Sequence, residues 1–241
     1  MASENIGIEG RAHFYEQTGA LRDYVQSHLL QLTALILMDL PKKYDFEKIS
    51  KRKYEALSKL KILCDIKNNK CLKRGQYEGY KKEVSNPKSE VETFVSMVLQ
   101  SSDPKWRGVP ITIITGKALE KKFTEIKIIY KRNEKHESNE LVIRLQPNPG
   151  IEFNVWVKKP GYGWDMSPQF LGFNFKEHYV NLPEAYEQVI FSAINADHAL
   201  FATSNEVLES WRILNIVQKS WRDYPNDMII YKKGSKPDEI F

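Results

Sequence analysis

Along residues 19–36 apolar side chains recur at Leu21, Val25, Leu29, Leu32 and Ile36, the i, i+4, i+7 spacing that draws one stripe along a helix. The pattern predicts a long buried helix ending at Pro41, entered through an extended segment over residues 5–12. A second amphipathic helix is predicted over residues 45–63, where Phe46, Ile49, Leu57, Leu60 and Leu63 stand among lysines and glutamates and Asp45 offers an N-cap. Residues 65–90 carry Asn68-Asn69, Gly75, Gly79 and Asn86-Pro87 and read as a long loop.

From residue 91 the period changes. Residues 91–99, 111–115, 125–131, 140–145 and 150–157 are short, rich in Val, Ile, Phe and Tyr, and separated by turn residues, which predicts strands. Helical spacing returns over 182–195 and 205–218, with Ser204 or Asn205 as the cap of the second. Successive strands with no helix between them imply antiparallel pairing. The expected fold class is therefore α+β: a large, mainly antiparallel sheet with helices packed on one face and a long buried N-terminal helix, all within one domain over residues 1–241.

Composition narrows the classes. With 41% hydrophobic and 12% aromatic residues in 241, the chain has ample material for a core, and global disorder is excluded. The longest apolar run, residues 29–40, is broken by Gln31, Thr33 and Asp39 and is shorter than the roughly twenty residues that span a bilayer. No signal pattern opens the chain, and no membrane partner is expected. Lysines and arginines cluster over 42–82, among them Lys51-Arg52-Lys53, Lys73 and Arg74, yet the net charge is only +5 with 31 acidic residues. Solvated surface explains that cluster more simply than nucleic-acid binding does. Cys64 and Cys71 lack the companions of a zinc site and read as free thiols in a cytoplasmic protein. His13, His136, His178 and His198 show no metal-ligand spacing, and the five tryptophans read as core.

His28 stands out chemically. It follows Asp23 by five positions in the first helix, and imidazole, with an unperturbed pKa near 6.5, suits proton transfer at neutral pH. A histidine on a helix is nonetheless often only a satisfied structural residue. The residues around it decide the matter. Glu4, Gly7, Glu9, Gly10, Arg11, Phe14, Tyr15 and Glu16, then Gly19, Arg22, Asp23, Gln26, His28 and Gln31, stand at fixed spacings. They are followed in order by Arg74-Gly75-Gln76-Tyr77, Trp106-Arg107-Gly108-Val109-Pro110, Thr115-Gly116-Lys117-Ala118-Leu119, residues 140–147, residues 182–187 and Trp211-Arg212-Ile213. Together these blocks resemble the second, substrate-binding and dimerisation domain of the glucose-6-phosphate dehydrogenases.

That resemblance implies an activity. The enzyme oxidises glucose 6-phosphate to 6-phosphogluconolactone with NADP, in the oxidative pentose phosphate route. His28 corresponds to the family's general base, Asp23 and Glu4 to carboxylates that read the sugar hydroxyls, and Lys117 to an ammonium that approaches the substrate. Lys122 corresponds to a second basic position, although Lys121 competes for it, and Gln146 to a position some members use near the sugar. Arg144 matches one that certain members use for a second, structural NADP; that site is left unassigned. Gly116 is expected to permit the tight backbone that sends Lys117 across the site. The resemblance also implies a homo-oligomer formed through the sheet.

The family's coenzyme domain opens with a Gly-rich turn that lets backbone amides approach a pyrophosphate. Gly7-Ile8-Glu9-Gly10 and Gly161-Tyr162-Gly163 lack its spacing, and the Asp-His-Tyr-Leu-Gly-Lys segment that supplies the acid orienting the base is absent. The chain is accordingly expected to be the downstream part of a longer enzyme and to turn over negligibly by itself. The alternative is a non-catalytic sugar-phosphate-binding or oligomerisation module that complements a separate coenzyme-domain chain.

Overall fold

A computed structural model describes residues 1–42, 46–63, 71–131, 137–179, 184–197 and 201–240. The chain divides into two compact units, a smaller one of residues 1–2 and 122–183 and a larger one of residues 3–121 and 184–241. In chain order the elements are β1 (Ala2–Ser3), α1 (Ala12–Ala20), a π-wound segment (Leu21–Leu29), α2 (Leu30–Leu37), α3 (Phe46–Ser58), β2 (Leu60–Ile62), β3 (Leu72–Tyr77), α4 (Tyr80–Glu83), β4 (Phe94–Ser101) and β5 (Ile111–Gly116). They continue with β6 (Phe123–Ile129), β7 (Glu140–Gln146), β8 (Gly150–Lys158), β9 (Met166–Asn174), α5 (Phe175–His178), α6 (Ala185–Ile194), α7 (Ser204–Asp223) and β10 (Met228–Tyr231). The class is α+β and the pairing mainly antiparallel, as the alternation of apolar residues predicts.

In the larger unit β4 lies between β3 and β5, antiparallel to both, with Leu72 opposite Met97 and Phe94 opposite Gly116. Beyond β3 runs β10, and this pair is parallel, with Arg74 opposite Met228. Phe94, Val95, Met97 and Leu99 of β4 are all buried, which marks the central strand of a core. The helices pack against one another and against these strands: α3 meets α2 and α7, and the π-wound segment meets β5 and α7. In the smaller unit β6, β7, β8 and β9 form a continuous antiparallel meander, Ile143 facing Ile151 and Val155 facing Gln169.

Several expectations change. The single N-terminal helix is three segments, because Gly19 adopts φ 62 and ψ 177 and breaks the α1 ladder. The chain then winds with i→i+5 bonding, Leu30 N–H donating to the Val25 carbonyl, and ends helical structure at Leu37, short of Pro41. Helix α3 stops at Ser58, and Leu60–Ile62 form β2 against β4; Asp45, expected as its cap, lies outside the described residues. The expected loop over 65–90 holds β3 and α4. Strands β9 and β10 lie where no strand is predicted, and α7 is capped by Thr203 through a reciprocal box with Glu206 rather than by Ser204 or Asn205.

The charged cluster over 42–82 is not all surface. Lys53 and Arg74 are buried, Arg74 paired with Asp227 at 2.6 Å and Lys53 with Glu206 at 3.0 Å. Cys71 is disulfide-bonded, which corrects the free-thiol expectation; Cys64 lies outside the described residues. Of the tryptophans Trp221 is buried, whereas Trp164 is 86% exposed, so the five are not uniformly core. His136 and His198 fall outside the described residues, and His178 stacks on Phe173 at 4.4 Å.

Candidate functional site

Lys117 is held by backbone on both sides. Its N–H donates to the Thr93 carbonyl at 2.9 Å, continuing the β4–β5 ladder one residue past Gly116, and its own carbonyl accepts from the Tyr231 hydroxyl at 2.7 Å. Thr93 is itself fixed by three neighbours: its N–H donates to the Gly75 carbonyl at 2.8 Å, its Oγ1 accepts from Tyr77 N–H at 3.0 Å, and it shares a 2.8 Å hydrogen bond with the Tyr231 hydroxyl. Gly116 is required by packing and not by its φ angle: a Cβ there would lie 2.7 Å from Cδ2 of Phe94. The left-handed residue of this turn is Ala118, at φ 53.

Glu4 reaches the same point from the chain start. Its N–H donates to Gly116 at 3.0 Å and its carbonyl accepts from Leu119 N–H at 2.9 Å, with Ala118 N–H to Ile6 at 2.8 Å beside them. These bonds lay residues 4–6 along the Lys117 turn, and the two side chains form an ion pair. The Lys117 side chain is 4% exposed and that of Glu4 22%, so the pair is lined by protein on one side and opens to solvent on the other.

Tyr15 connects this pair to the helix. The Lys117 ammonium sits 5.3 Å from its ring centroid, a cation–π distance. Burial raises the Tyr15 phenol well above its ordinary range, and the nearby carboxylates of Glu92 and Asp23 push it further. Asp23 is half-buried and belongs to the π-wound segment, whose Leu21, Val25 and Leu29 are buried.

His28 lies on that segment with an exposed ring 5.0 Å from Tyr24. The winding matters. At 3.6 residues per turn, positions five apart lie about 140° apart around an α-helix; with i→i+5 bonding, at roughly 4.4 residues per turn, that angle falls to about 50°. The Ser27 hydroxyl donates to the Asp23 carbonyl within this stretch. The wider winding thus narrows the angle between the imidazole and the carboxylate; the ring neighbour of His28 is Tyr24.

The remaining candidates belong to the smaller unit and are described with it alone. Lys122 is exposed immediately before β6; its competitor Lys121, which belongs to the larger unit, faces Glu120 at 3.7 Å. Gln146 ends β7 and donates to Thr124 Oγ1 at 3.0 Å. Arg144 is engaged in a two-point contact with Glu152, at 2.6 and 2.8 Å. A cleft of about 680 Å³ in this unit, between Glu140, Trp156 and Phe170, contains none of the candidates. A second, of about 440 Å³, is lined by Gly19, Leu21, Arg22, Arg74, Glu92 and Trp221 in the larger unit.

Sequence reasoning missed Glu92, a buried carboxylate whose Oε1 accepts from Leu21 N–H at 2.9 Å. A carboxylate next to a run of strand residues is its only signal. Neither Gly pair forms the turn that approaches a pyrophosphate. Gly161 (φ 124) and Gly163 lie on an exposed turn between antiparallel β8 and β9, and Gly10 (φ 77) closes an exposed turn before α1; neither opens a helix behind a parallel strand. Among the described residues no cluster could hold a metal ion, and no helix is long and apolar enough to cross a membrane.

A family model described as the C-terminal domain of glucose-6-phosphate dehydrogenase matches residues 1–240. The chain belongs to that family. Glucose-6-phosphate 1-dehydrogenase of Borreliella burgdorferi is 35% identical, the match covering 99% of this chain and 54% of the relative. That of Chlamydia trachomatis is 33% identical over 99% of this chain and 60% of its own length. A solved glucose-6-phosphate dehydrogenase in complex with its substrate glucose 6-phosphate superposes with a TM-score of 0.87 at 30% identity, over 98% of this chain and 51% of that one. The chain therefore spans about half the length of the relatives it matches, and its family is an oxidoreductase family.

Proposed function

We propose that this chain supplies the base and the sugar contacts of a glucose-6-phosphate dehydrogenase, which oxidises glucose 6-phosphate to the lactone in the oxidative pentose phosphate route. In this reading His28 takes the proton from the anomeric hydroxyl. Asp23 and Glu4 accept hydrogen bonds from ring hydroxyls, as ionised carboxylates suit a polyol. Lys117, Lys122 and Gln146 donate to hydroxyl or phosphate oxygens. Residues 1–241 are read as the substrate-binding and dimerisation domain of that enzyme. The oxidation also needs a hydride acceptor, NADP by family, and the Gly turns of the described residues do not offer the coenzyme turn for it.

The observation that supports this reading is the Glu4–Lys117 pair, buried against Tyr15 beside Asp23 and open to solvent on the carboxylate side. A paired ammonium and carboxylate of this kind exchange partners when a ligand offers both acceptors and donors. The test is calorimetry of the 241-residue chain with glucose 6-phosphate. Saturable heat that is lost in Lys117→Met supports the assignment; no heat at millimolar ligand sinks it. An NADP-coupled assay on the same polypeptide should show no reduction.

The alternative of an assembly module has its own support. Phe170 and Leu171 of β9 are 62% and 60% exposed, and Ile129, Ile151 and Phe173 are also exposed in the same unit, more apolar surface than a solvated strand pair needs. We assign it to self-association through this meander in a cytoplasmic setting, checked by sedimentation of Phe170→Lys, which should run as a smaller species than the parent chain.

A further inference from the structure

The first and second halves of the candidate site share one anchor. Residues 92 and 93 are consecutive, and between them they bind both. The Thr93 carbonyl holds Lys117. The Glu92 carbonyl accepts from Ala20 N–H at 2.9 Å, and the Glu92 side chain accepts from Leu21 N–H at 2.9 Å. Ala20 and Leu21 are the first two residues after Gly19 breaks the helix, so their amides are the orphan donors of a new helix start. A local serine or aspartate ordinarily satisfies such donors. Here the acceptor comes from the segment that leads into β4, 71 positions away, and Gly19 leaves room for it, because a Cβ at residue 19 would collide with the Glu92 carboxylate.

We propose that Glu92 is a positioning residue of the sugar-phosphate site: by capping the π-wound segment from outside, it sets the rotation and height of Asp23 and His28 against the Lys117 turn that the adjoining Thr93 holds. The assignment rests on the reading of Asp23, His28 and Lys117 as sugar contacts. Glu92 is not itself a contact. It faces the start of the segment at Leu21, whereas Asp23 and His28 lie further along.

The surroundings fit an acceptor held for geometry. Burial raises the Glu92 carboxyl to about 7, against the Leu21 amide and the guanidinium groups of Arg74 and Arg22, which lower it. Tyr15 and Tyr80, the other titratable groups that feel this carboxylate, have phenols raised by burial. Arg74 is committed to Asp227 and to the carbonyls of Trp221 and Pro225. The Leu21 amide is the direct hydrogen-bond partner of the Glu92 side chain.

The test uses the 241-residue chain and glucose 6-phosphate as probe, with Glu92→Ala, Glu92→Asp and Glu92→Gln. Glu92→Ala should weaken binding tenfold or more, speed amide exchange at Leu21 through Val25 at least tenfold, and shift the His28 ring resonances. Glu92→Gln keeps an acceptor of the same reach and should restore affinity to within threefold. Glu92→Asp, which withdraws the acceptor by one methylene, should fall between them and stands in should Glu92→Ala not fold. Lys53→Met, destabilised at a distance from the site, should leave affinity unchanged. The proposal is overturned should the Ala and Asp variants keep wild-type exchange and His28 resonances, or should Glu92→Gln fail to rescue while Lys53→Met weakens binding equally. Absence of binding by the parent chain counts against the function assigned above; the exchange and ring measurements still decide the role of Glu92.

Discussion

Among its described residues the larger unit holds two lysine–glutamate pairs with a buried lysine, and they are built differently. Lys53 and Glu206 are sealed on both sides, with side-chain exposures of 4% and 0%. Lys53 also reaches the Phe201 carbonyl and Gln31, at 3.3 and 3.4 Å. The Glu206 Oε2 that faces it lies at ion-pair distance without a well-directed hydrogen bond, and the other oxygen serves the Thr203 cap. Lys117 is as buried as Lys53, yet its partner Glu4 keeps 22% of its side-chain surface exposed. The first pair joins α3 to the start of α7 and has no free side. The second leaves one open to a ligand. A buried lysine is therefore not evidence of a site by itself; what distinguishes the two is the solvent-facing carboxylate.

Breaking the sealed pair should have the largest effect. Lys53→Met leaves Glu206 charged and enclosed, and such half-pairs cost about 3–5 kcal/mol; urea unfolding should show that loss with glucose 6-phosphate affinity unaltered. A carboxylate buried with no lysine sharpens the contrast. Glu92 titrates at about 7 against an ordinary 4.5, so between those values the folded chain retains a proton that the unfolded chain has released. Stability present below pH 4.5 is then lost as pH rises through about 7, by an amount on the order of 3 kcal/mol. Glu92→Gln should flatten that slope in denaturant midpoints measured from pH 4.5 to 8. Lys117→Met should cost roughly a hundredfold in glucose 6-phosphate affinity, about 2.7 kcal/mol, with a smaller change in unfolding because Glu4 can turn to water. His28→Asn should be the mildest in binding, within about 0.5 kcal/mol of the parent by calorimetry. A large loss there would make the imidazole a sugar contact and not a base.

Periodicity carried most of the architecture. The alternation over residues 111–115, 140–145 and 150–157 predicts β5, β7 and β8 nearly to their ends, because each pairs with a neighbour along its whole length. It fails at β9, where Met166–Asn174 is interrupted by Pro168 and Gly172 and stays largely exposed; register with β8, not side-chain burial, makes it a strand. It fails again at β10, four residues paired in parallel with a strand 154 positions away, Met228 opposite Arg74. Lys53 was legible in hindsight: it falls four after Ile49 and four before Leu57, on the apolar face of α3. Charge composition hid it, since a lysine among lysines looks like surface. Of the candidate residues, Glu4, Asp23, His28 and Lys117 were readable through the family resemblance, whereas the pairing of Glu4 with Lys117 against Tyr15 depends on tertiary placement that no local window contains.

The wide turns between Leu21 and Leu29 make chain length, more than chemistry, the quantity held constant there. Deleting a single residue between Asp23 and His28 would bring them to a spacing of four, which ordinary winding sets about 40° apart, so the extra residue and the wide turn compensate each other. A return to ordinary winding at the present length would set them about 140° apart, so an insertion, or a substitution that removes the wide turn, should displace the imidazole far more than one that keeps both length and winding.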